Sequence, residues 1–128
     1  MRAFLAVALL CLTAATADAR PRRHHHHHTV AHHADRPSAC RGIPWCGCWL
    51  RLRHGISDAS LNAARQWARV GRPAFGPGRG VIAVWAHHVG EITENLGGGM
   101  VRMISGNDGN RVRDRVRSLR GVIALRQL

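Results

Sequence analysis

The chain has 128 residues and a formal net charge of +12, and all 19 of its basic residues are arginines. That length allows one small domain with a modest core and excludes a multidomain architecture. The charge favours anionic partners, while four cysteines are too few for a disulfide-dense miniature scaffold.

In chain order, the first element expected is a targeting segment. Met1-Arg2 provides a positive start, residues 3–15 are almost uniformly apolar, and Ala17-Asp18-Ala19 fits a cleavage site. The apolar run is shorter than the roughly 20 residues a bilayer span needs. A cleaved secretory signal over 1–19 is therefore expected, with an exported product, periplasmic or secreted, beginning near Arg20. Cleavage would remove Cys11 and leave Cys40, Cys46 and Cys48, an odd count that leaves at least one thiol free or paired between chains.

Residues 20–37 hold Arg22-Arg23, the run His24 to His28 and His32-His33, with little to bury, so a disordered leader is expected there. Its imidazoles could bind zinc, nickel or copper. The domain proper is expected over 38–128.

A helix is expected over 44–54. Pro44 has its φ preset for a first turn, and Gly55 supplies the stop. Cys46 then lies in the first turn, where unpaired amides and the positive end of the helix dipole favour thiolate over thiol. Ser57-Asp58 offers a cap for a second helix running to Val70, in which Leu61, Ala64, Trp67 and Ala68 recur on one side. Residues 73–80 read as a loop.

Beyond it the period changes to that of strands. Segments 81–85, 88–93, 100–104, 111–117 and 121–126 are short, apolar or alternating, and are separated by Gly- and Asn-rich turns. From Arg111 to Arg117 every second residue is arginine, which makes one strand face cationic. Two helices followed by four or five antiparallel strands define an α+β domain. Trp45, Trp49, Trp67 and Trp85 are expected in the core.

The chemistry centres on a thiol with an imidazole. Cys46 opens a helix, and His87 and His88 arrive about forty residues later at the head of a strand. Neighbouring strand residues face opposite sides, so only one of the two can point at the thiol. His88 is the choice, because it begins the Val89-Gly90-Glu91-Ile92 strand and the small Gly90 leaves room beside it. An amide or carboxylate must orient the ring; Asn107 is best placed and Asp108 is second. A disulfide between Cys40 and Cys48 would leave this nucleophile intact, whereas one between Cys40 and Cys46 would abolish it. A zinc site on the three cysteines departs from the usual ligand spacings.

These residues carry a resemblance. Trp45-Cys46-Gly47-Cys48-Trp49-Leu50 resembles the motif around the nucleophile of CHAP and NlpC/P60-like cysteine peptidases. Gly80-Val81-Ile82-Ala83-Val84-Trp85 is similar to the strand those enzymes place before their histidine, and His88-Val89-Gly90-Glu91-Ile92 resembles the histidine strand itself. Ser105-Gly106-Asn107-Asp108 and Asn62-Ala63-Ala64-Arg65-Gln66-Trp67 resemble one small bacterial branch. The resemblance implies a papain-like fold, with two N-terminal helices packed on the sheet, and hydrolysis of peptide or amide bonds in peptidoglycan. Cys46 would be the nucleophile, His88 the base and Asn107 the orienting residue.

The expected partner is peptidoglycan or another anionic cell-wall polymer. No specific nucleic acid, membrane span, cofactor or metal is expected, and the chain is read as a monomer. An alternative from another class is a non-catalytic exported basic domain of the same fold that binds such polymers. A third is metal handling by the histidine leader.

Overall fold

A computed structural model describes residues 36–128. The signal segment and the histidine run lie outside the described residues, as does the expected leader up to Asp35.

The architecture is a six-stranded antiparallel sheet with few helices. Its strands are β1 (Arg72–Pro73), β2 (Ile82–Val84), β3 (Val89–Gly97), β4 (Met100–Ser105), β5 (Arg113–Ser118) and β6 (Ala124–Gln127), in the spatial order β1-β6-β2-β3-β4-β5. β3 to β5 form a meander. The chain then returns to pair β6 with β2 on its other edge, in the register Ala83↔Leu125.

β1 falls where no strand was expected, with Pro73 opening the segment expected to be loop. Its two residues close the edge by pairing Arg72 with Gln127 and Pro73 with Arg126. β3 runs past its expected end, with register shifts between Ile92 and Glu94 and between Asn95 and Gly97. Such bulges bend a strand and strengthen its twist.

Among the described residues there is one α-helix, α1, spanning Cys46–Arg53. Trp45 is its N-cap, so Pro44 stands just outside the first turn. The second expected helix is instead two 3-10 segments, Ala59–Asn62 and Ala64–Arg69, parted by Ala63 in an extended conformation. Side-chain hydrogen bonds hold the two segments in this arrangement. The Trp67 indole donates to the Leu61 carbonyl at 2.8 Å, and Arg51 of α1 donates to the Asn62 side chain at 2.7 Å. The Asp58 side chain does cap the first of these segments, accepting from the Ser60 amide.

The sheet buries both faces. On one, Trp45, Trp49 and Leu50 from α1 and its cap meet Leu61 and Trp67 from the 3-10 segments over Ile82, Val84, Val89 and Val112. On the other, Val81, Ala83, Ile92, Val101 and Met103 lie under Trp85, Leu119, Val122 and Leu125. Alternate residues of each strand serve alternate cores, as the pleat requires. Trp45 and Trp67 are fully buried and Trp49 nearly so, whereas Trp85 is half-buried and donates its indole N–H to the Arg120 carbonyl at 3.0 Å.

Gly106 couples sheet to helix. A Cβ there would stand 2.6 Å from Trp49 Cβ and 3.0 Å from Trp45 Cε3, so the chain leaving β4 passes directly over the start of α1. Among the described residues no helix is long and apolar enough to cross a membrane.

Candidate active site

The cysteine stretch resolves into one bridge and one thiol. Cys40 and Cys48 form a disulfide, and Cys46 is the single free thiol among the described residues. Positions two apart on an α-helix differ by about 200° around its axis. Cys48 therefore turns toward the segment before the helix, and Cys46 turns toward β3.

The Cys46 thiol donates to the His87 carbonyl at 3.9 Å, and the Val89 amide is also directed at the sulfur. The residue these two groups flank is His88. The His88 carbonyl itself accepts from the Trp85 amide at 2.8 Å, toward β2. Backbone groups of successive strand residues point to opposite edges, so the sulfur occupies the other edge of β3. That is the side on which β4 ends, at Ser105.

Burial pushes the Cys46 thiol above its ordinary value of 9.0, against the opposing pull of the Gly47, Val89 and Cys46 backbone amides. This corrects the expectation that the first helical turn would favour thiolate. The amides do pull that way, but a side chain only 2% exposed loses more in hydration than they return.

Cys46 opens onto a cavity of about 270 Å³. Pro44, Ala63, Ala64 and Ala86 give it small apolar walls, and Arg65 and His87 add polar ones. His87 itself is exposed.

His88 shares its pleat with Gly90 and Ile92, so its ring lies on the sheet face away from α1. Its Nε2 is 3.0 Å from Ser105 Oγ. Its pKa is pushed down to about 4, first by burial, then by the Arg117 and Arg115 guanidiniums, with the Asp108 carboxylate opposing them. The ring is therefore neutral at physiological pH. Among the described residues no hydrogen bond joins the Cys46 thiol to either imidazole.

Asn107 sits in the turn after β4 with a φ of 56°, a left-handed conformation that Asn tolerates better than most residues. None of the described hydrogen bonds runs from its side chain to His88. Asp108 beside it is 5% exposed and holds Arg115 and Arg117 in ion pairs. Asn110, also left-handed, accepts from the Trp45 indole at 3.3 Å and from Arg36 at 3.2 Å, which ties the turn back to the helix cap.

The arginine alternation does form one face. Arg113, Arg115 and Arg117 pair across the ladder with Ser105, Met103 and Val101, and so stand on the His88 side of the sheet. Arg117 also lies 5.9 Å from the centre of a Trp85 ring. Ser105 was not legible as a site residue, because one hydroxyl at a strand end carries no distinctive spacing. Among the described residues no group of three His, Cys, Asp or Glu side chains is placed to hold a metal ion. Against known proteins, no family model matches the chain, and neither the curated proteins nor the solved structures give a match.

Proposed function

We propose that this protein is an exported papain-like cysteine hydrolase that cleaves peptide or amide bonds in peptidoglycan, with Cys46 as nucleophile and His88 as base. The observation that carries the reading is the placement of the free thiol. It heads a helix, lies between the two backbone groups that flank His88, and faces a cavity large enough for a small side chain. The disulfide engages the two cysteines that would otherwise compete with it.

With a neutral thiol and a neutral imidazole, proton transfer accompanies attack instead of preceding it. The thiol leaves the His87 carbonyl and turns past the β3 edge toward the His88 ring on the far face of the sheet; the ring takes its proton as sulfur bonds to the scissile carbonyl carbon. The Cys46 amide, in the first turn of α1 where amides lack helical partners, donates to the developing oxyanion. The C–N bond breaks, and the imidazolium protonates the leaving amine. Water then attacks the thioester, and the thiol is restored.

A second reading is a non-catalytic basic domain that binds anionic wall polymers. The missing hydrogen bond between thiol and imidazole favours it, as does the row Arg113, Arg115 and Arg117. Incubating purified sacculi with the protein and with Cys46→Ala separates the two. The hydrolase releases soluble fragments with new amine and carboxyl ends, and the variant does not. Sedimentation with sacculi but no release from either protein would establish the binder.

A further inference from the structure

We propose that Ser105 is the residue that orients His88, in the position where an amide or carboxylate from the following turn was expected. The inference rests on the hydrolase reading for its catalytic meaning, but the contact itself does not depend on it.

Ser105 closes β4, is 1% exposed and places Oγ 3.0 Å from His88 Nε2. Its backbone is fixed by the ladder opposite Arg113, so the hydroxyl is presented from sheet and not from loop. The adjacent strand is cut to fit. A Cβ on Gly90 would come within 2.8 Å of Ser105 Cβ and 2.7 Å of the Ile104 carbonyl oxygen, so a larger residue there would push the hydroxyl off the ring. Asn107 lies two residues further along, in a left-handed turn that follows the close passage of Gly106 over α1.

The 3.0 Å contact fits either tautomer, since a serine hydroxyl both donates and accepts, and the orienting role requires the one in which Nε2–H donates. A neutral imidazole has one N–H and one lone pair, and a base needs its lone pair toward the proton it takes. With Nε2–H donating to Ser105 Oγ, Nδ1 is left as the unprotonated ring nitrogen, the one that can act as base. Around the ring stand Trp85 just after β2, Arg115 and Arg117 from β5, and Asp108 from the turn; none of these forms a hydrogen bond with the ring among the described residues. Ser105 is a positioning residue and not a second nucleophile, because the cavity is lined by Cys46 and not by Ser105.

The test is nitrogen NMR of the full chain with labelled histidine at neutral pH, joined to sacculus-digestion kinetics. The wild-type protein is expected to show His88 as the Nε2–H tautomer. Ser105→Ala is expected to show a mixture of tautomers and a kcat lowered about tenfold or more with KM unchanged, the pattern of a misoriented base. Asn107→Gly, which keeps the left-handed backbone, should match wild type in both readouts. A wild-type His88 in the Nδ1–H form overturns the proposal, and this decides it even where Ser105→Ala fails to fold. A kcat lowered by Asn107→Gly but not by Ser105→Ala also overturns it. An Nε2–H tautomer that Ser105→Ala disturbs, in a protein that releases nothing from sacculi, upholds the orienting contact and removes the hydrolase reading instead.

Discussion

Acidification should destabilise this domain through one identifiable group. The folded His88 imidazole titrates near 4, against an ordinary value of 6.5. Between those values an unfolded chain takes up a proton that the folded chain refuses, so stability falls as pH drops from 6.5 through 4 and is flat with respect to this group above 6.5. The gap corresponds to about 3 kcal/mol. That is an upper figure, because part of the ring environment reaches solvent. It is still a large share of the roughly 5–15 kcal/mol that holds a small domain together. Urea unfolding followed by tryptophan fluorescence at pH 7, 6, 5 and 4 would read it, with His88→Gln as the reference that cannot titrate. The wild type should lose up to about 3 kcal/mol more than the variant between pH 7 and pH 4. Parallel profiles for the two proteins would refute the assignment of His88 to a buried, cation-flanked site.

Three further outcomes follow from the packing. Replacing Cys40 and Cys48 with serine reopens a short loop and should cost about 2.5 kcal/mol in urea unfolding, while Cys46 stays the only alkylatable thiol of the domain. Gly106→Ala forces a methyl group against Trp49 and should cost about 1–3 kcal/mol, with a shifted tryptophan emission that reports the parting of α1 from β4. Alkylation of Cys46 by iodoacetamide should be slow at neutral pH and still rising at pH 9, since burial holds the thiol protonated. A rate plateau below pH 8 would mean a preformed thiolate, and with it a different resting site.

Much of the sheet was legible because its signals are local. The β-branched runs around Ile82-Ala83-Val84 and Val101-Arg102-Met103-Ile104 bury alternate residues in alternate cores, and the Gly-rich turns fall where the chain reverses. The misread helix is ambiguous in its own spacing. Within the second 3-10 segment the buried Ala64 and Trp67 stand three apart, the spacing of one 3-10 face, but the same spacing fits an α-helix, and the extended Ala63 that parts it from Leu61 has no local signal. β1 has only two residues and exists because β6 returns to meet it, so nothing within Arg72-Pro73 announces it.

For the site, the spacing singled out Cys46, which lies beside the backbone at His87, but did not show that the His88 ring would stand on the other face of the sheet against Ser105. It did not reveal the burial that reverses the helix-terminus effect on the thiol. Nor did it reveal that the neighbour of His88 Nε2 would be a serine presented by β4 and not an asparagine in the turn. Both depend on how strands align across the sheet, and register of that kind is a long-range property.

The central claim, that Cys46 attacks an amide carbonyl, is tested most directly by intact-mass spectrometry of protein quenched in acid while it is digesting sacculi. The account predicts an acyl adduct that peptide mapping places on Cys46 and that Cys46→Ala lacks. Fragment release without any adduct on Cys46, at equal rates from wild type and Cys46→Ala, would contradict it.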